Sequence, residues 1–138
     1  MTKKCPLTYT HIEIKPDGNF SPCCEFKGKI LDDNGRVMNV RDHSVSEAVT
    51  SSFMNNLRAD LDNEIERTEC QRCWIQEHNN GKSRRLIETT RFGKYLTLTE
   101  PSLKSIDLKL GNLCNLRCRI CSSMSSSSWA VDENNKSI

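Results

Sequence analysis

Residues 5–24, which read CPLTYTHIEIKPDGNFSPCC, carry the clearest fold signal in the chain. Within them, residues 11–15 alternate polar and apolar side chains, which is typical of a half-buried strand. Pro-Asp-Gly at 16–18 is a turn sequence, and residues 19–21 lead back towards Cys23. The stretch therefore predicts two short antiparallel strands joined by a tight turn and flanked by cysteines.

The composition points to a metalloprotein. The chain has 138 residues, of which eight are cysteine and only 6% are aromatic, and such small chains commonly need cross-links or metals to hold a fold. No apolar export signal precedes Cys5, so we expect a reducing, cytoplasmic compartment, where cysteines bind metal more often than they form disulfides. A net charge of +2 and the lack of a long apolar run favour neither a polyanion-binding protein nor a membrane span.

Helices are predicted in the middle of the chain. Residues 44–63 begin with a serine and, three residues later, a glutamate, which is the spacing of a capping box. Apolar residues then recur at helical spacing, and the polar residues at 50–52 allow either one helix or two. Further helices are expected over 69–78 and 83–91. For residues 26–40, a second hairpin and a loop both remain open.

A last predicted strand precedes the final group of cysteines. The apolar residues Leu103, Ile106, Leu108 and Leu110 indicate a buried strand, and a serine- and asparagine-rich tail begins at Ser122. Together with the hairpin and the helices, this strand predicts an α+β fold. We expect a cysteine-rich domain over residues 1–98 and the start of a second domain over residues 99–138.

The cysteines after this strand have the spacing Cys114-x3-Cys118-x2-Cys121. Three thiolates on a short loop can hold three irons of a [4Fe–4S] cube and leave the fourth iron open. An open coordination position is what metal-centred catalysis requires. Structural zinc normally uses paired ligands and fits this pattern poorly, and a cysteine-rich loop without metal is the remaining alternative.

Residues 108–121, LKLGNLCNLRCRIC, resemble the signature of the radical S-adenosylmethionine (radical SAM) enzymes. The resemblance implies that Cys114, Cys118 and Cys121 hold a [4Fe–4S] cluster that binds S-adenosylmethionine, with Ile120 near the adenine. It also implies reductive cleavage to a 5′-deoxyadenosyl radical that takes hydrogen from a substrate, for which a peptide or protein is a candidate. The electron donor would be a flavodoxin or ferredoxin.

The other cysteines predict a second site. A hairpin that brings Cys5 and Cys23 near the pair Cys70-x2-Cys73 makes a four-thiolate pocket suited to zinc or to [4Fe–4S]. The pattern is similar to the SPASM domain of radical SAM enzymes and to its shortened form, the twitch domain. That likeness implies an auxiliary [4Fe–4S] cluster on these four thiols. Cys24 is the spare thiol, either an alternative ligand or, as we favour, a small buried hydrophobe.

The resemblance places the strand and the loop of residues 99–138 at the start of a partial (β/α) barrel. A complete barrel takes about 250 residues, so we expect the N-terminal part of a radical SAM enzyme that is inactive alone because its barrel is incomplete. The alternative is a non-catalytic iron–sulfur or zinc-binding module that acts in electron transfer or protein interaction.

Several residues outside the cysteine groups have either a structural or a functional interpretation. The basic run at 82–94 is expected to be a solvated helix face, and it lacks the interleaved aromatic residues that would favour nucleic-acid binding. Glu77 and His78 are expected on an exposed helix face. The serines at 125–128 either support the cysteine loop or form a linker, and Trp129 either packs on that loop or is a hydrophobic anchor.

Overall fold

A computed structural model describes residues 3–135 and confirms the α+β class. Short helices follow one another along the chain, and two strands near the N-terminus share a small sheet with one strand from the C-terminal third. The elements are α1 (Leu7–Thr10), β1 (His11–Ile14), β2 (Phe20–Ser21), α2 (Val45–Thr50), α3 (Ser52–Asp62), a 3-10 helix (Thr68–Cys70), α4 (Gln71–His78), α5 (Arg84–Phe92), a second 3-10 helix (Gly93–Thr97), β3 (Ser105–Leu108) and α6 (Ser127–Asn135).

The predicted hairpin is confirmed. β1 pairs antiparallel with β2, and Glu13 lies opposite Ser21. The turn needs glycine at position 18, where φ is +81° and an added Cβ would lie 2.8 Å from the Asn39 side-chain oxygen. Residues 26–40 form the second hairpin, because Leu31 bridges Val37 in antiparallel register.

β1 also pairs with a strand from the far end of the chain. The sheet order is β2-β1-β3, and β3 runs parallel to β1 with Ile12 opposite Ile106. Local sequence does not reveal such a pairing, because the two strands are separated by all the helices from α2 to α5. The strands come from either side of the predicted boundary at residue 98, and the division into two domains stays a prediction.

The helices follow their predicted signals. Ser44 caps α2, since the Glu47 N–H donates to its hydroxyl and the Glu47 carboxylate accepts from the Ser44 N–H at 2.6 Å. The chain then breaks at Ser51, whose hydroxyl accepts from the Met54 N–H and starts α3. None of the helices in the described residues has the length and apolarity needed to cross a membrane. The fully buried side chains of the core include Ile12, Phe20, Ile30, Met54 and Leu57.

The prediction that β3 is buried is wrong. Ile106 is 45% exposed and Leu108 is 55% exposed, whereas Ile12, beside Ile106 on β1, is fully buried. The reason is that the core lies against β1 and β2, through Ile12 and Phe20, and does not extend to β3. Leu103, just before β3, does pack against the core.

Arg58 ties α3 to α1. Its guanidinium is buried and donates two hydrogen bonds to the Thr8 carbonyl, at 2.7 and 2.9 Å, and a third to the Val49 carbonyl at 2.7 Å. It also lies 5.3 Å from the centre of the Tyr9 ring. Because α1 begins two residues after Cys5, this contact helps to fix the first cysteine.

We expect Arg58→Met to lower the free energy of unfolding by about 3 kcal/mol, because two buried carbonyls lose their donors. Urea denaturation monitored by circular dichroism measures the change. Arg36→Met, on an exposed side chain, is the control and should stay within about 0.5 kcal/mol of the parent protein. Equal stability of the two variants would contradict this role of Arg58.

Candidate metal centre

One cavity brings together four cysteines from three segments far apart in sequence. Its empty volume is about 370 Å³, including solvent at the mouth. We call it the auxiliary cavity. The thiols that line it are Cys5, Cys23, Cys70 and Cys73. Its other walls consist of four apolar residues, Leu7, Phe26, Leu61 and Trp74, and three charged residues, Glu25, Arg84 and Arg85.

Tight turns hold the first two cysteines. The Thr8 N–H and hydroxyl both donate to the Cys5 carbonyl, at 3.2 and 2.7 Å, as α1 begins. The Cys23 carbonyl accepts from the Phe26 N–H at 3.2 Å, so the chain reverses directly after β2. The Lys27 N–H then donates to the Glu69 carbonyl at 2.8 Å, which ties the Cys23 turn to the segment that carries Cys70.

The second pair lies at the start of α4. Cys70 ends the first 3-10 helix and caps α4, and Cys73 is three residues further on, so one helical turn presents both thiols to the same side. Trp74 is buried beside this turn, and its indole N–H donates to the Arg67 carbonyl at 2.9 Å.

Burial governs the acidity of these thiols. It raises the pKa of Cys5, Cys23 and Cys70 to about 12, and the neighbouring thiols in the cavity add to the rise. Backbone N–H groups of Leu7 and Glu25 act in the opposite direction on the pKa of Cys5 and Cys23. Without metal, the thiols of Cys5, Cys23 and Cys70 are therefore protonated at neutral pH, and metal binding must displace their protons.

The four thiols surround the cavity and do not meet at one point. Within residues 3–135, no three Cys, His, Asp or Glu side chains come close enough to ligate one metal ion. The exposed wall area of the cavity between the thiols is mostly apolar, and its only donors suited to a soft metal are sulfur atoms. This donor set fits an iron–sulfur cluster.

Two predictions about polar residues near the cavity are wrong. Arg85, expected on a solvated helix face, is only 5% exposed, and the Glu77 side chain, expected to be exposed, is only 16% exposed. The two form an ion pair that docks the start of α5 on α4. His78 is exposed as predicted, and its ring lies 3.1 Å from Glu66.

Cys24 lies outside the auxiliary cavity. Its side chain is exposed, so the prediction of a small buried hydrophobe is wrong. Cys23 occupies the inner side of the turn after β2 and lines the cavity, and its immediate neighbour is left on the outer side.

The third group of cysteines lies on the irregular segment between β3 and α6, residues 109–126, which we call the C-terminal cysteine loop. Cys114 and Cys121 are half-buried and Cys118 is exposed. Ile120 is fully exposed, and an open cleft at the carboxyl end of β3 lies between Lys109 and Met124. The three thiols do not converge in this structure.

Serines hold this loop to α6. The Ser127 hydroxyl accepts from the Cys114 N–H at 3.1 Å, and the hydroxyls of Ser127 and Ser128 donate to the Cys114 carbonyl at 3.1 and 2.9 Å. The Trp129 indole N–H donates to the Cys118 carbonyl at 3.0 Å. Of the predicted alternatives, the serine run thus supports the loop, and Trp129 contacts it.

Comparison with protein families finds a match over the region that contains the auxiliary cavity cysteines. The SPASM family, described as an iron–sulfur cluster-binding domain, matches residues 5–74. The chain belongs to the SPASM family. Its matched region begins at Cys5 and ends at Trp74, so it spans the four cysteines of the auxiliary cavity. Comparisons with curated proteins and with solved structures find no match.

The sequence alone did not reveal that Arg85 lines the auxiliary cavity or that Glu77 pairs with it. The buried face of α5 carries two charged residues, Arg85 and Glu88. A prediction from apolar periodicity therefore assigns this face of the helix to solvent. The sequence feature nearest to this contact is Ser83, the N-cap residue of α5. In the structure its hydroxyl donates to the Glu77 carboxylate at 2.5 Å.

We expect metal-free protein to react with iodoacetamide first at the exposed Cys24 and Cys118 and last at Cys5 and Cys23. The raised pKa makes the thiolate scarce, and alkylation of Cys5 should accelerate about tenfold per pH unit between pH 7 and 9. Peptide mass spectrometry at timed intervals measures each site. Early labelling of Cys5 at pH 7 would show that its thiol is not shielded.

Proposed function

We propose that Cys5, Cys23, Cys70 and Cys73 hold one [4Fe–4S] cluster in the auxiliary cavity. The observation that supports this proposal most strongly is the placement of the four thiols around one apolar cavity inside the matched SPASM region. Four sulfurs on one zinc ion stand about 3.8 Å apart, given a Zn–S bond of about 2.3 Å and tetrahedral geometry. A cube offers each thiol its own iron and therefore suits thiols that surround a space.

We further propose that Cys114, Cys118 and Cys121 hold a second [4Fe–4S] cluster, as in radical SAM enzymes. The loop leaves the carboxyl end of β3, which is parallel to β1, and ligands of parallel α/β folds bind at that end of the strands. The open cleft formed by other residues of the same loop offers room for S-adenosylmethionine. Ile120 does not line this cleft, and its proposed place near the adenine rests on the resemblance alone.

When bound, this cluster supplies one electron to the sulfonium of S-adenosylmethionine, which gives methionine and a 5′-deoxyadenosyl radical that takes a hydrogen atom from the substrate. The chain's own part is to present three thiols on a supported loop. Ser127 and Ser128 fix the Cys114 backbone, and Trp129 fixes the Cys118 backbone. A peptide or protein is the proposed substrate, and a flavodoxin or ferredoxin of the cytoplasm is the proposed electron donor.

A second candidate is a non-catalytic iron–sulfur module for electron transfer. The extent of the family match favours it, because the matched region ends at Trp74 and does not include the C-terminal cysteine loop. The two candidates differ in whether a cluster in this chain responds to S-adenosylmethionine.

The first test is ligand assignment at the auxiliary cavity. After anaerobic reconstitution with iron and sulfide, Cys73→Ser should lose about four irons per chain, because it removes a buried ligand. Cys24→Ser is the matched control, since Cys24 neighbours a proposed ligand but lies outside the cavity, and it should keep the full iron content. Iron and sulfide analysis measures both. If Cys24→Ser lost its iron while Cys73→Ser kept it, the assignment of Cys73 as a ligand and Cys24 as a non-ligand would be reversed. A single bound zinc ion in the parent protein would exclude the cluster.

The second test separates the two sites. Cys118→Ala should abolish the electron paramagnetic resonance signal that changes on addition of S-adenosylmethionine and should leave the auxiliary signal intact, because the ligands lie in separate parts of the fold. Loss of both signals would contradict the two-site division. Two clusters in the parent protein, neither of which responds to S-adenosylmethionine, would favour the electron-transfer module.

A further inference from the structure

A buried ion pair borders the auxiliary cavity. The Nε atom of Arg85 donates to a Glu77 carboxylate oxygen at 3.0 Å, and a second guanidinium nitrogen contacts the other oxygen. Arg85 lines the cavity, whereas Glu77 is not among its lining residues. The positive member of the pair therefore faces the thiols, and the negative member lies behind it.

The guanidinium of Arg85 is fixed between the segments that carry two of the cysteines. It donates to the Lys4 carbonyl at 3.0 Å, directly before Cys5, and it lies 5.3 Å from the centre of the Trp74 ring, directly after Cys73. An arginine that is only 5% exposed keeps its charge close to these thiols, where little water screens it.

The other charged residues of the cavity wall are more exposed or are paired outward. The side chain of Arg84 is 43% exposed and pairs with Glu88 at 3.0 Å. Glu25 pairs with the exposed Arg72 at 2.9 Å. Of the charged residues that line the cavity, Arg85 is thus the one that combines burial with a fixed position.

We propose that the Arg85–Glu77 ion pair sets the reduction potential of the auxiliary cluster, with Arg85 favouring the reduced state and Glu77 opposing it. This inference rests on the proposed [4Fe–4S] cluster at the four cavity thiols. Reduction adds one electron to the cluster, from the 2+ to the 1+ state, so a nearby positive charge stabilises the product. Charges and hydrogen bonds around a cluster are the protein's main means of tuning its potential.

The experiment uses the full chain with Cys118→Ala, so that only the auxiliary cluster is observed. Variants Arg85→Gln, Arg85→Lys, Glu77→Gln and the double variant Arg85→Gln/Glu77→Gln are reconstituted and their iron is counted. Arg91→Gln, on the exposed side of α5, is the control. Potentials are then measured by titration with dithionite, which donates the electron, and electron paramagnetic resonance.

At the midpoint potential of the parent protein, Arg85→Gln should lower the ratio of reduced to oxidised cluster about tenfold. This change corresponds to a midpoint potential lower by about 59 mV for a one-electron couple. Glu77→Gln should shift the potential in the opposite direction, and Arg85→Lys and Arg91→Gln should stay near the parent value. The midpoint potential of the double variant should lie below that of the parent protein but above that of Arg85→Gln. A purely structural role would not give shifts of opposite sign.

Shifts of the same sign in Arg85→Gln and Glu77→Gln, or no shift in fully loaded protein, would overturn the inference. If Arg85→Gln or Glu77→Gln fails to load a cluster, the double variant decides, because it removes both charges and leaves neither member of the pair as an uncompensated buried ion. A double-variant potential at or above the parent value overturns the inference. Failure of the parent protein to bind iron and sulfide would instead refute the proposed function.

Discussion

Burial of several thiols in one cavity is the constraint on which this fold depends. Burial raises the pKa of Cys5, Cys23 and Cys70 to about 12, so these thiols resist ionisation and by themselves contribute little to holding the cavity together. Contacts around the cavity hold the cysteine-bearing segments in place instead. The Arg58 bonds to α1, the tie from Lys27 to Glu69 and the docking of Arg85 on Glu77 each fix a cysteine-bearing segment. A cluster that binds the thiolates would then add its binding free energy to folding.

β1 connects the two groups of cysteines. On one side it pairs with β2, which leads into the Cys23 turn, and on the other it pairs with β3, which leads into the C-terminal cysteine loop. Glu13 of β1 is fully buried and forms an ion pair with Lys109 at 2.5 Å, directly after β3. Because removal of one partner of such a pair leaves a buried charge, the ion pair favours a single position for the start of this loop.

The sequence predicts local structure well and long-range placement poorly. The hairpin, the capping box at Ser44 and the cysteine pair at Cys70 follow from short-range chemistry, and the structure has each where it was predicted. The parallel register of β3 could not be predicted, because it depends on packing of all the helices between the strands. The exposure of Cys24 and the burial of Arg85 were missed because adjacent turn positions and charged helix faces have no apolar pattern to read.

The two cysteine groups differ in exposure, and this difference bears on their proposed roles. The auxiliary thiols line a cavity whose exposed wall area is mostly apolar, and four thiols are enough to ligate every iron of the proposed cluster. The C-terminal cysteine loop instead has one exposed thiol and an open cleft beside it. An iron with an open coordination position needs access for the molecule that binds it. A cluster that only transfers electrons can lie in a low-dielectric setting, where one fixed charge, such as Arg85, has a large effect on its potential. The proposed division of labour therefore follows the accessibility of each group.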